Sequence, residues 1–126
     1  MSSSGGASEN NYSTEEQRIG TWIDGKPLYR KVYKFDITAT STRQQIVFDK
    51  GFATNKILKN IGGNVISKDY SGFQFHLGLF NWHNSTNQFF MFLPCVDNND
   101  LKLEVQWSVT QDFIVEAVIE YTKLTD

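Results

Sequence analysis

Leu101, Leu103, Val105 and Trp107 alternate with Lys102, Glu104 and Gln106. Successive side chains of a strand point to opposite faces, so this period marks a strand with one buried and one wet face. Phe113, Val115, Ala117, Ile119 and Tyr121 likewise share one parity, and Ile114, Glu116, Val118 and Glu120 take the other. Phe73, Phe75, Leu77 and Leu79 oppose Gln74, His76 and Gly78, which predicts one strand through "FQFHLGL". Tyr29, Tyr33, Phe35 and Ile37 form a fourth such set, interrupted by Lys31 and opposed by Arg30, Lys34 and Asp36, with Val32 out of step. Gln45–Asp49 reads as a short strand.

Turn chemistry punctuates these runs. Asp24-Gly25 supplies positive φ at low cost and predicts a hairpin of Arg18–Ile23 with Leu28–Tyr33, Pro27 marking an edge or a strand start. Gly62-Gly63-Asn64 predicts a second hairpin that splits "KILKNIGGNVIS" into two short strands. Thr38–Gln44 and "NWHNSTNQ" read as loops, and Asp97–Asp100 as a turn. Ser13-Thr14-Glu15-Glu16 fits a capping box, but Gly20 limits any helix to about one turn. Residues 1–11, "MSSSGGASENN", contain no large apolar side chain after Met1. Such a segment cannot offset its own ordering entropy and is expected to be a flexible leader. Residues 12–126 are then one domain. Short strands at regular spacing, with no helix between them, predict an all-β, antiparallel sandwich or barrel.

Two runs break the rule of one wet face. Phe89, Phe90, Met91, Phe92 and Leu93 leave no polar parity, and Ile114 and Val118 put apolar groups on the outer face of the last strand. A strand that is apolar on both faces needs two covers. The second is another subunit, or a loop or sheet of the same chain.

Size and charge narrow the function. At 126 residues the chain can bury a core without staples. Its net charge of -2 favours neither nucleic acid nor a membrane surface as partner. One cysteine, Cys95, excludes an internal disulfide and a cysteine-based zinc site. The aromatic share of 14% suits strands. The N-terminus lacks the basic start and apolar middle of a secretion signal.

Candidate chemistry is sparse. His76 and His83 have no neighbouring carboxylate in the pattern of a metal triad or a nucleophile–base pair. Asp97-Asn98-Asn99-Asp100 offers oxygen atoms to Ca²⁺, but without the spaced acids of a dedicated site it reads as a hairpin turn. Trp82, with His83 and Asn84, resembles the platform-plus-amide mix that holds a sugar; the plainer reading is a Trp capping the end of the domain. No catalytic residue, metal ligand or cofactor is expected. Adhesion or structure is the default, and a glycan-processing domain is disfavoured for want of a carboxylate pair.

The longest specific stretch is "YSTEEQRIGTWIDGKPLYRKVY", Tyr12–Tyr33. Tyr12–Lys31 resemble the start of a module of tailed-bacteriophage virion proteins, close to "YSTEEQ.IGTWIDGKPLYRK". Ile119–Asp126, "IEYTKLTD", resemble its end near "I.YTKTTD", with Leu124 in place of Thr. The middle, 38–112, carries no quotable match. The resemblance implies a jelly-roll-like β-sandwich, assembled most often as a homotrimer, on a virion made in the bacterial cytoplasm. It also implies a role as head fibre, tail fibre, receptor-binding protein or capsid decoration. Only 11 residues precede the module, so the expectation is a short head-attached spike or capsid decoration rather than a long tail fibre. Partners would be other virion proteins, met through the leader or hairpin, and a bacterial surface glycan met through Trp82, His83 and Asn84. Trp22, Ile23, Leu28, Tyr29 and Tyr33 are the expected assembly residues, with Phe90 and Phe92 as the facing apolar wall. The rival from outside the virion is a free carbohydrate-binding module.

Overall fold

The computed structural model describes residues 12–68, 74–81 and 89–126. Among the described residues the strands are β1 (Gln17–Thr21), β2 (Pro27–Ala39), β3 (Gln44–Asp49), β4 (Lys56–Ser67), β5 (Gln74–His76), β6 (Gly78–Asn81), β7 (Phe89–Asp97), β8 (Asp100–Gln106) and β9 (Gln111–Lys123), with a 3-10 turn at Phe52–Thr54. They form two antiparallel sheets, ordered β1-β2-β9-β4-β5 and β3-β8-β7-β6. The described chain is therefore all-β and antiparallel. The expected leader, residues 1–11, lies outside the described residues.

The period-two sets build one core. Phe113, Val115, Ala117, Ile119 and Tyr121 of β9, Leu101, Leu103 and Val105 of β8, and Phe92 of β7 are buried together. Rings join the two sheets. Phe92 packs edge-on against Phe113 at 5.0 Å, and Phe75 of β5 stacks on Trp107 at 5.6 Å. Phe35 of β2 stacks on Phe48 of β3 at 5.0 Å. Phe52, from the 3-10 turn, meets the Tyr121 ring at 5.5 Å. At the other end Trp107 donates its indole N–H to Gln111 (2.9 Å), and Gln111 donates to Ser67 (2.7 Å), so these polar groups are satisfied where they are buried.

Four expectations change. "KILKNIGGNVIS" is a single strand: β4 runs unbroken and pairs with β9 from Lys56 to Ser67. Gly63 marks a close approach to β9 instead of a turn. Gly63 sits at φ +135, and a Cβ there would lie inside contact distance of the Glu116 carbonyl oxygen and 2.9 Å from Ala117 Cα. "FQFHLGL" conversely divides. β5 pairs with β4 in one sheet and β6 with β7 in the other, so the chain changes sheets at Leu77, whose N–H is held by the Gly63 carbonyl at 3.1 Å. Phe75 and Leu77, of one parity, both pack against the core.

The capping box does not form: Ser13 Oγ accepts from Glu15 N–H at 3.0 Å, a local turn, and Glu16 faces elsewhere. The first hairpin does form, but β1 stops at Thr21 and β2 begins at Pro27, leaving Trp22 and Ile23 in the connecting loop. Gly25, at φ +90, allows that loop to close through Trp22 N–H to the Lys26 carbonyl (2.8 Å). The Asp97–Asp100 turn is as expected. Asn98 and Asn99 take φ of 52 and 66, the positive pair that a tight two-residue hairpin requires. Among the described residues no group of three or more His, Cys, Asp or Glu side chains is placed to hold a metal ion.

Candidate functional site

The two stretches at the ends of the sequence meet in space. β9 lies beside β2 over eleven residue pairs, which brings Tyr29 opposite Tyr121. Their rings stack at 5.9 Å. Glu16, just before β1, accepts hydrogen bonds from the Tyr121 hydroxyl and from Lys123 Nζ (2.6 Å). Lys123 also lies 4.3 Å from the centre of the Tyr29 ring, and the Tyr29 hydroxyl donates to Asp126 at 2.8 Å. Lys26, in the hairpin loop, donates to the Lys123 carbonyl at 3.2 Å, and Leu124 N–H donates to the Asn55 carbonyl at 2.8 Å. Glu16 and Tyr121 are 105 positions apart. Next along β2, Tyr33 donates to Asp49 at the end of β3, joining one sheet to the other.

The electrostatics follow from this packing. Burial pushes the Glu16 carboxyl up, but the bonds from Lys123 and Tyr121 outweigh it and hold the group below the ordinary carboxylate value. Burial first, and a carboxylate acceptor second, push the Tyr33 and Tyr121 hydroxyls far above their ordinary value of 10. A raised tyrosine favours the protonated form in the fold. Its contribution is complete below the unfolded value near 10 and is lost as pH rises beyond it. Unfolding free energy, measured in urea across the alkaline range, is therefore expected to fall above pH 10. Tyr33→Phe should cost about 1 kcal/mol at neutral pH by unpairing Asp49, and should flatten that alkaline slope. An unchanged slope would show that Tyr33 does not carry it.

The outer face of the five-stranded sheet carries Val32, Ile114 and Val118, as the parities predict. All three are half-buried. Between Val32, Lys34, Glu116 and Val118 and the segment Tyr12–Thr14 lies an open depression of about 400 Å³. The Tyr12 ring lies 4.2 Å from the Arg30 guanidinium carbon. Arg30 pairs with Glu120 at 3.2 Å, which Asn60 also reaches at 3.4 Å.

The expected assembly residues separate into three groups. Ile23, at the hairpin tip, is 92% exposed, and Trp22 beside it is half-buried with Lys59 Nζ 5.4 Å from its ring. Leu28, Tyr29 and Tyr33 are half-buried, the two tyrosines packed on the chain's own core. Phe92 is wholly buried among Phe75, Trp107 and Phe113 of the same chain. Its ring is covered from within the chain, by Phe75 of β5, Trp107 just after β8 and Phe113 of β9. The side chain of Phe90 lies outside the described residues, as do Trp82, His83 and Asn84. Glu16, Lys123, Asp126 and Asp49 are not among the site residues expected from the sequence. The available signal was that three of them fall inside the two end motifs, but pairing them needed the β2–β9 register.

No family model matches this chain, and no curated protein or solved structure matches it.

Proposed function

We propose that the chain is a structural module of a tailed-bacteriophage virion, displayed on the particle as a short head fibre, spike or capsid decoration. In this reading it is a jelly-roll-like antiparallel β-sandwich assembled as a homotrimer, and it works by adhesion or decoration without covalent chemistry. The supporting observation is the junction of the two end motifs. Glu16, Lys26 and Tyr29 from "YSTEEQRIGTWIDGKPLYRK" bond to Tyr121, the Lys123 backbone and Asp126 from "IEYTKLTD". A module whose middle varies needs a frame that closes independently of its loops, and this junction is such a frame. The same end presents Ile23 to solvent, where a neighbouring copy could reach it.

Light scattering of the purified chain is the first test, with an expected mass near three times 14.5 kDa. Ile23→Ser should shift the mass toward one copy. Antibody labelling of intact particles, seen by electron microscopy, should decorate the capsid. A monomer that binds a glycan array and labels no particle would replace this reading with a free carbohydrate-binding module. Label on the tail would make it a tail-fibre or baseplate receptor-binding protein.

A further inference from the structure

We propose that residues 12–21 form a strap that protonation of Glu16 releases from the rest of the domain. No residue of this segment belongs to the buried core. β1 pairs with β2 only over Pro27–Arg30, and the pairing slips between Arg18 and Gly20. Beyond it, the Ser13 carbonyl accepts from Val32 N–H at 2.8 Å, and Tyr12 rests on Arg30 at the surface. Segments held by few buried contacts open at low cost, well below global unfolding. Glu16 ties this one across β2 to β9, through Tyr121 and Lys123.

The groups around Glu16 make its charge matter. β9 presents Lys123 and Tyr121, β4 presents Lys56, and β2 presents Tyr29 and Tyr33. Asp126 and Asp49 stand behind the two β2 tyrosines. Ionised, Glu16 accepts from two donors, one of them cationic. Protonated, it no longer offsets the Lys123 charge, and the charge-assisted part of both bonds is lost. The sign agrees: a carboxyl held below its ordinary value contributes stability above the ordinary carboxylate range, lost as pH falls through the folded value. Release lengthens an open edge. Among the described residues, Tyr33–Ala39 of β2 already lack a partner strand on the β1 side, and the strap covers the remainder.

Hydrogen exchange of the full chain, corrected for intrinsic rates, tests this at pH 7 and pH 3. The amides of β1 are expected to exchange about fivefold faster at pH 3, while those of β9 keep their protection. Glu16→Gln at pH 7 should approach wild type at pH 3 and show no further dependence on pH. Asp49→Asn, which leaves the strap contacts intact, should behave as wild type in β1. Loss of protection in β1 and β9 together would overturn the strap. So would β1 exchange that stays pH-dependent in Glu16→Gln, or that follows Asp49→Asn. The wild-type comparison stands alone should a variant fold poorly.

Discussion

Gly63→Ala is expected to destabilise the protein by about 3 kcal/mol or more, read as a lower urea midpoint at unchanged slope. Two costs combine. At φ +135 an L side chain meets its own backbone, and the new Cβ also collides with β9 at the Glu116 carbonyl and Ala117 Cα. Those are main-chain atoms in the centre of a long pairing, so neither can swing aside as a flexible side chain would. Gly62→Ala is the control. Its Cβ would meet nothing within 4 Å and its φ is not positive, so the effect should lie within about 1 kcal/mol of zero. Equal midpoints for the two variants would mean that β4 does not cross β9 this closely, and the hairpin expected at Gly62-Gly63-Asn64 would return.

Phe92→Ala is expected to cost about 3–5 kcal/mol by leaving a cavity among rings that cannot all collapse into it. Phe75, Trp107 and Phe113 contact Phe92 from β5, from the segment after β8 and from β9, and each is held by its own strand or by a bonded indole. Ile23→Ser should act oppositely. It removes a solvent-facing side chain, so stability should change by no more than about 0.5 kcal/mol, and any effect should appear in association. Measuring urea stability and mass for both variants separates the roles. A stable Phe92→Ala that falls apart into single chains would restore Phe92 to an assembly surface.

The pairing of the chain ends was only partly legible in the sequence. Tyr29 and Tyr33 are legible as members of one alternating set, and both pack at or beside the junction. Glu16 fits the far end of a capping box because Ser13 lies three positions before it, a local pattern with a local explanation. Its true partners are on β9, and the contact exists only once β2 and β9 lie side by side. Asp49 marked the end of a strand, and nothing near it in sequence pointed to Tyr33.

What the sequence determined by itself is the set of inward positions. Leu101, Leu103 and Val105, and Phe113 through Tyr121, are buried on the parity that alternation assigns, because strand geometry allows two faces and water selects between them. The Asn98-Asn99 turn belongs with them, since its backbone demand is met by the residues that make it. Tertiary structure decided what depends on a neighbour far along the chain. It made one continuous strand of a Gly-Gly stretch that locally spells a turn, with Gly63 close against β9. It divided one alternating run between two sheets at Leu77, and it covered the Phe92 face of β7 with rings of the same chain. Periodicity reports which way a side chain faces, whereas what it faces is set by strand order, and that order is written in contacts across the whole chain.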